Sequence, residues 1–95
     1  MKRAEILDTA KDMVTGHREQ DYGTPEKNFS VIARLWSAYL GWRITAEEVA
    51  VMMCLFKIGR LQAGKGTPDT FIDLAGYAAC GGEIATEEGE APNDV

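Results

Sequence analysis

Apolar residues recur every three or four positions along most of this chain, which is the spacing of one face of an α-helix. Glycine-containing breaks separate four such stretches, and no stretch alternates apolar and polar residues as a half-buried strand would. The predicted helices cover residues 2–15, 25–41, 45–63 and 67–81. We therefore predict an all-α fold, a compact bundle of about four helices.

Local signals support the predicted starts. Thr24 can cap a helix whose first residue is Pro25, since proline lacks the N–H that has no partner there. Thr45 and Glu48 form a capping box, in which each side chain bonds the other residue's amide. This structural role is sufficient to explain Glu48.

The third helix is unusually apolar. Between Val49 and Ile58 the one charged residue is Lys57, and a segment that is apolar all round belongs in a core more often than on a surface. We therefore expect this helix at the centre of the bundle.

The acidic charge is unevenly distributed. Residues 86–95 hold four of the fifteen acidic groups and no basic one, so residues 1–85 carry ten basic and eleven acidic groups. We predict one helical domain over 1–85 and an acidic, disordered tail over 86–95, which has little apolar surface to bury. A nearly neutral domain argues against a strong footprint for duplex nucleic acid and leaves room for a small anionic ligand.

The longest apolar run is about ten residues, whereas a membrane-spanning helix needs about twenty. The N-terminus lacks the apolar core of a signal peptide. We therefore predict no membrane partner and a cytoplasmic location. Cys54 and Cys80 are predicted to be free buried thiols.

Two surfaces suggest self-association. Trp36, Tyr39 and Trp42 cluster near the end of the second helix, and aromatic residues are enriched at interfaces. The fourth helix carries several small residues, which permit close approach of another helix or subunit. We therefore predict a homo-oligomer.

Four charges mark the turn between the third and fourth helices. Lys57 and Arg60 share one helical face, as do Asp69 and Asp73. A short connection makes the helices antiparallel, so the basic pair should lie near the acidic pair. Two interpretations stay open: a salt-bridged network, or a site where the aspartates hold a divalent cation and the basic residues contact phosphates.

The polar segment 16–24 is a second candidate for ligand contact. It includes Arg18 and Tyr22, and loops that carry such groups on a helical frame are frequent binding sites. The alternative is a solvated connector in which Tyr22 packs on the core.

Several short motifs resemble a family of small phage and prophage proteins of unknown function. The motifs occupy positions 21–23, 25–26, 28–29, 36–41, 48–50 and 73–81, together with Met52, Lys57 and Arg60. The resemblance covers about residues 4–85. It implies that the chain is a member of this family, and it implies no activity because the function of the family is unknown.

More distantly, four helices with acids and a Lys-x-x-Arg on the central pair resemble the all-α nucleoside triphosphate pyrophosphohydrolases of the MazG type. That resemblance implies magnesium held by Asp69 and Asp73, with Lys57 and Arg60 as phosphate contacts. Independently of that resemblance, we predict that the Glu48 carboxylate orients or deprotonates the attacking water and that Arg18 and Tyr22 contact the substrate. The chain departs from the family's Glu-x-x-Glu and Glu-x-x-Asp motifs.

Two functions follow as expectations. The first is a nucleotide-binding protein of MazG-like descent, either active as a magnesium-dependent pyrophosphohydrolase or not catalytic. The alternative is a non-catalytic phage accessory module that binds a host protein or sequesters a signalling nucleotide.

Overall fold

The computed structural model describes residues 1–16, 23–64 and 66–86, and these residues form four α-helices and no strand. The helices are α1 (Arg3–Thr15), α2 (Pro25–Leu40), α3 (Ala46–Ala63) and α4 (Pro68–Thr86). The predicted all-α bundle is confirmed. Residues 87–95 of the predicted tail lie outside the described residues, and Thr86 belongs to α4 instead.

Capping groups set the ends of α2 and α3 as the sequence predicts. The Lys27 amide donates to Thr24 Oγ1 at 3.3 Å at the start of α2. At its end Gly41 adopts a left-handed conformation with φ of 68°, which glycine takes without steric cost. In the capping box of α3, the amide of Glu48 donates to Thr45 Oγ1 and the amide of Thr45 donates to Glu48 Oε1.

Helices α3 and α4 form an antiparallel hairpin with the most extensive helix contact in the bundle. Lys57, late in α3, pairs with Asp73, early in α4, whereas Ala50 at the start of α3 meets Gly81 near the end of α4. A Cβ atom on Gly81 would lie 3.0 Å from the Cβ of Ala50. The missing side chain therefore allows the two helices to approach closely.

The core joins three helices, and α1 adds to it from one side. Its buried residues come from α2 (Phe29, Ala33), α3 (Val49, Ala50) and α4 (Cys80, Ile84). Helix α1 packs mainly on α4, where its Val14 meets Gly76 and its Ala10 is buried.

The expected central position of α3 is wrong for one of its faces. Val49 and Ala50 are fully buried, but Val51, Leu55 and Ile58 are about half exposed. The reason is geometric: the other described helices pack on the Val49 side of α3 and leave its opposite side exposed.

The aromatic cluster divides between core and surface. Trp36 packs against the core cluster, whereas Tyr39 and Trp42 keep 88% and 72% of their surface exposed.

Within the described part of the chain, no helix is long and apolar enough to cross a membrane.

Candidate ligand pocket beside the Lys57–Asp73 ion pair

One ion pair connects the two arms of the α3–α4 hairpin. Lys57 Nζ lies 2.8 Å from Asp73 Oδ2, and the two side chains are 17% and 27% exposed. Their partial burial protects the pair from full screening by solvent. The predicted closeness of the basic and acidic residues is therefore observed for Lys57 and Asp73.

The other two predicted charges do not join this pair. Arg60 is exposed, and its guanidinium lies 5.1 Å from the centre of the Phe56 ring, near enough for a cation–π contact. Asp69 is exposed in the first turn of α4, where a carboxylate suits the positive end of the helix dipole. In the described part of the chain no salt bridge links Arg60 to Asp69.

A pocket of about 170 Å³ lies beside the ion pair, between α1, the start of α2 and α4. Its lining comes from α1 (Ala10, Met13, Val14), from the start of α2 (Gly23, Pro25, Asn28, Phe29) and from α4 (Ile72, Asp73, Gly76, Tyr77, Cys80). The volume is below the roughly 300–1,000 Å³ of pockets that enclose a drug-sized ligand. A small ring system fits this size.

Three polar side chains interrupt the otherwise apolar lining. Asn28 supplies an amide, Asp73 a carboxylate and Tyr77 a phenol. An amide and a phenol can each donate and accept a hydrogen bond. Tyr77 also stacks at a tilt on Phe29, with ring centres 6.3 Å apart. An apolar pocket with a few convergent polar groups is the usual form of a small-molecule site.

The sequence prediction included Asp73 and missed the rest of this lining. Asn28, Phe29 and Tyr77 belong to the pocket because α1 packs against α4 beside the start of α2, which no local pattern reveals. One signal was available: Asp73, Gly76, Tyr77 and Cys80 follow helical spacing and so share one face of α4.

The remaining predicted site residues are not brought to the pocket. Glu48 lies at the start of α3, nine residues before Lys57 or about 14 Å along the helix axis, and its carboxylate is used in the capping box. Arg18 and Tyr22 lie outside the described residues. Their assignment to substrate binding, like that of Glu48 to catalysis, stays a prediction.

The predicted magnesium ligands do not fit a metal centre. Asp69 and Asp73 lie one turn apart on α4, and the described residues contain no group of three His, Cys, Asp or Glu side chains that could hold an ion. The ammonium of Lys57 already contacts the Asp73 carboxylate, and its charge opposes a cation there.

Cys54 is not an activated nucleophile. Cys54 and Cys80 form no disulfide, as predicted. Burial raises the pKa of the Cys54 thiol, and its Sγ donates to the carbonyl of Leu74 at 4.0 Å. Because the thiolate is the reactive form, a raised pKa makes Cys54 less reactive than an ordinary exposed cysteine.

Comparisons with known proteins identify relatives in phages. The family model described as "Domain of unknown function (DUF6378)" matches residues 5–85. The Gene 55 protein of Mycobacterium phage L5 is 49% identical over 74 residues, which is 77% of this chain and 47% of that protein. The Gene 55 protein of Mycobacterium phage D29 is 42% identical over 87 residues, 90% of this chain and 58% of that protein.

The chain thus spans about half the length of the curated relatives it matches. No solved structure matches it significantly. The resemblance to small phage proteins of unknown function is confirmed, and the MazG-type similarity stays a prediction.

Proposed function

Because the chain belongs to the DUF6378 family, a domain family of unknown function with phage members, we propose its function from the pocket. The protein binds a small planar ligand of the nucleobase or nucleotide class between α1, α2 and α4. The observation that carries this proposal is the pocket itself, in which Asn28, Asp73 and Tyr77 interrupt an apolar lining.

The chemistry of the lining favours the base of a nucleotide over its phosphates. A carboxylate accepts hydrogen bonds and repels phosphate, so Asp73 suits the N–H groups of a heterocycle. Asn28 both donates and accepts, and apolar and aromatic neighbours suit the faces of a planar ring. A pocket of about 170 Å³ takes the base and leaves sugar and phosphates outside.

The Lys57–Asp73 pair has a supporting role in this proposal. A salt bridge of 2.8 Å fixes the Asp73 side chain in one orientation before a ligand arrives. Binding to an oriented acceptor avoids part of the entropy cost of ordering that side chain. Lys57 is then a positioning residue rather than a phosphate contact.

We propose binding without hydrolysis. Glu48, the predicted catalytic residue, lies away from the pocket lining, and the described carboxylates do not fit a magnesium centre. A protein of this kind would sequester or sense a nucleotide in the host cytoplasm, where phage replication needs nucleotides.

The test is a thermal-shift screen of nucleobases, nucleosides, and nucleoside mono- and triphosphates, each with magnesium and with EDTA. A ligand at 100 times its dissociation constant adds about 2.7 kcal/mol to the free energy of unfolding, which raises the Tm of a domain this size by about 10 °C or more. We expect hits that share a base, and the shift should persist in EDTA.

Asp73→Asn and Asp69→Asn form a matched pair of variants for this test. Both lie on α4, but the pocket lining includes Asp73 and not Asp69. The Asp73→Asn variant should need about ten times more ligand to reach the same rise in Tm, with each rise measured from the variant's own ligand-free Tm. No shift with any base-containing compound, or equal losses in both variants, would contradict the proposal. Pyrophosphate release on a hit would restore the hydrolase hypothesis.

A second candidate function is binding of a host protein, and the exposed aromatic end of α2 favours it. Tyr39 and Trp42 keep most of their surface exposed, and such residues often anchor protein interfaces. Proximity labelling in host cells tests this candidate. The double variant Tyr39→Ser/Trp42→Ser should lose a labelled partner that the Asp73→Asn protein retains.

A further inference from the structure

The exposed face of α3 has a composition that is unusual for a protein surface. We define the open face as the residues that share the side of Leu55: Glu48, Val51, Met52, Leu55, Ile58, Gly59 and Gln62. Their spacings from Leu55 are three, four and seven residues, which places them on one helical face. Between Glu48 and Gln62 the open face carries no charge and no polar side chain.

The open face is accessible in the described structure. Val51, Leu55 and Ile58 expose 52%, 59% and 46% of their surface. The charged residue of this stretch, Lys57, is turned away and paired with Asp73 on α4. Lys57 therefore adds no charge to the open face.

We infer that the open face binds the open face of a second copy of this chain, with the two α3 helices antiparallel about a two-fold axis at Leu55. In this arrangement the sequence of the face is complementary to itself. Each residue would meet the one at an equal distance on the other side of Leu55, because a two-fold axis reverses the chain direction.

The resulting pairs match in size and polarity. Val51 would lie over the partner's Gly59, where the described structure leaves open space within 4 Å of the position of a Cβ atom. Met52 would lie beside the partner's Ile58, and Leu55 would meet its own counterpart. A large residue over a glycine lets two helices approach closely, which increases the buried apolar area.

The ends of α3 add charge complementarity. Its first turn carries Glu47 and Glu48, and its last turn carries Arg60. An antiparallel pair brings the acidic end of each helix near the basic end of the other, and it places Glu48 over the partner's Gln62. A parallel pair would bring like charges together, which disfavours that orientation.

Sedimentation equilibrium across a range of protein concentrations tests the inference. The unaltered chain should reach the mass of a dimer. Leu55→Asp would place two carboxylates together at the axis and should weaken the dimer about tenfold or more. Leu55 is exposed in the single chain, so circular dichroism should show the helical content of the variant unchanged.

Two further variants define the interface. Leu35→Asp on α2 is a matched control, because Leu35 is 63% exposed and lies outside the open face; it should leave the dimer intact. Gln62→Lys would face the partner's Glu48, and it should strengthen the dimer several-fold at low salt and lose that gain at high salt.

Three results would overturn the inference. A monomer at every concentration would show that the face is covered by the chain itself, as by residues 87–95, or is simply solvated. A dimer that dissociates with Leu35→Asp and persists with Leu55→Asp would place the interface on α2. A Gln62→Lys variant that weakens the dimer would exclude the antiparallel register. The open face shares no residue with the pocket lining, so this inference is independent of the proposed ligand.

Discussion

At the scale of the residue, Asp73 has one observed role, in the ion pair with Lys57, and one proposed role, in ligand binding. One carboxylate oxygen contacts Lys57 at 2.8 Å, and the residue also belongs to the pocket lining. A carboxylate has about four acceptor positions, so the ion pair leaves capacity for a ligand. Under the proposed function, a substitution at Asp73 changes both stability and binding, and the two effects have to be measured separately.

Charge reversal separates the structural part. Asp73→Lys alone places two ammonium groups together and should lower the free energy of unfolding by about 1–2 kcal/mol, since both side chains are mostly buried. The double variant Lys57→Asp/Asp73→Lys should recover about 1 kcal/mol of that loss, because opposite charges again face each other. Urea denaturation provides the measurement.

Asp69→Lys is the control for this cycle. Asp69 is exposed one turn earlier on α4, and its reversal should lower the free energy of unfolding by about 1 kcal/mol or less through the helix dipole alone. Adding Lys57→Asp should recover none of that loss. If the losses in free energy of unfolding were additive in the double variant, Lys57 and Asp73 would be close together without stabilising each other.

At the scale of the element, α4 shows why glycine in a helix has to be judged by its neighbours. Gly81 and Gly82 together resemble a helix stop, yet the helix continues to Thr86. Gly81 faces Ala50 at close range, whereas nothing in the described chain lies within 4 Å of the place a Cβ would take on Gly82. Adjacent glycines thus have different reasons to be in the same helix.

The two alanine substitutions should have opposite signs. Gly82→Ala should raise the free energy of unfolding by about 1 kcal/mol, because alanine loses less conformational entropy in a helix. Gly81→Ala gains the same propensity but forces its Cβ to 3.0 Å from Ala50, and overpacking costs about 1–3 kcal/mol. Urea denaturation of both variants would test this; stabilisation by Gly81→Ala would mean that α3 and α4 separate without cost.

The same contrast shows what the sequence could predict. Caps at Thr24 and Thr45 and the glycine at Gly41 are local signals, so the limits of α2 and α3 followed from the chain alone. The end of α4 and the lining of the pocket depend on which helices touch. Glycines in the sequence do not reveal this, because a glycine can end a helix or allow another helix to pack closely against it. The exposed side of α3 was missed for a related reason, since apolar composition alone does not show whether the other helices of the chain cover a given helix face; Val51, Leu55 and Ile58 stay about half exposed.

At the scale of the whole molecule, α1 is the one described helix that contributes no buried residue to the core cluster. It packs mainly on α4, through Val14 against Gly76 and through the buried Ala10. The other three helices share the core cluster. Because the same contact forms one wall of the pocket, opening of α1 would also open the ligand site.

Hydrogen exchange should show α1 as a separate unit. Segments with few buried contacts open at lower free energy than the core, so the amides of α1 should exchange before those of α3 and α4. Ala10→Asp buries a charge at the α1–α4 contact and should speed exchange in α1 by about 10- to 30-fold, with a smaller effect on α3.

Ala4→Asp on the exposed side of α1 is the matched control and should change exchange little. Equal acceleration in all four helices would show that α1 opens only with the whole domain. If a base-containing ligand binds the pocket, it should slow exchange in α1 more than in α3.

The division of the aromatic cluster between core and surface gives this domain two optical reporters. The indole of Trp36 packs on the core cluster, whereas that of Trp42 is 72% exposed. Iodide in solution should quench the emission of Trp42 by collision and leave Trp36 bright until the helices separate. A Trp42→Phe protein would therefore carry a single shielded fluorophore that follows unfolding, while Trp36→Phe would carry one that senses whatever approaches the end of α2.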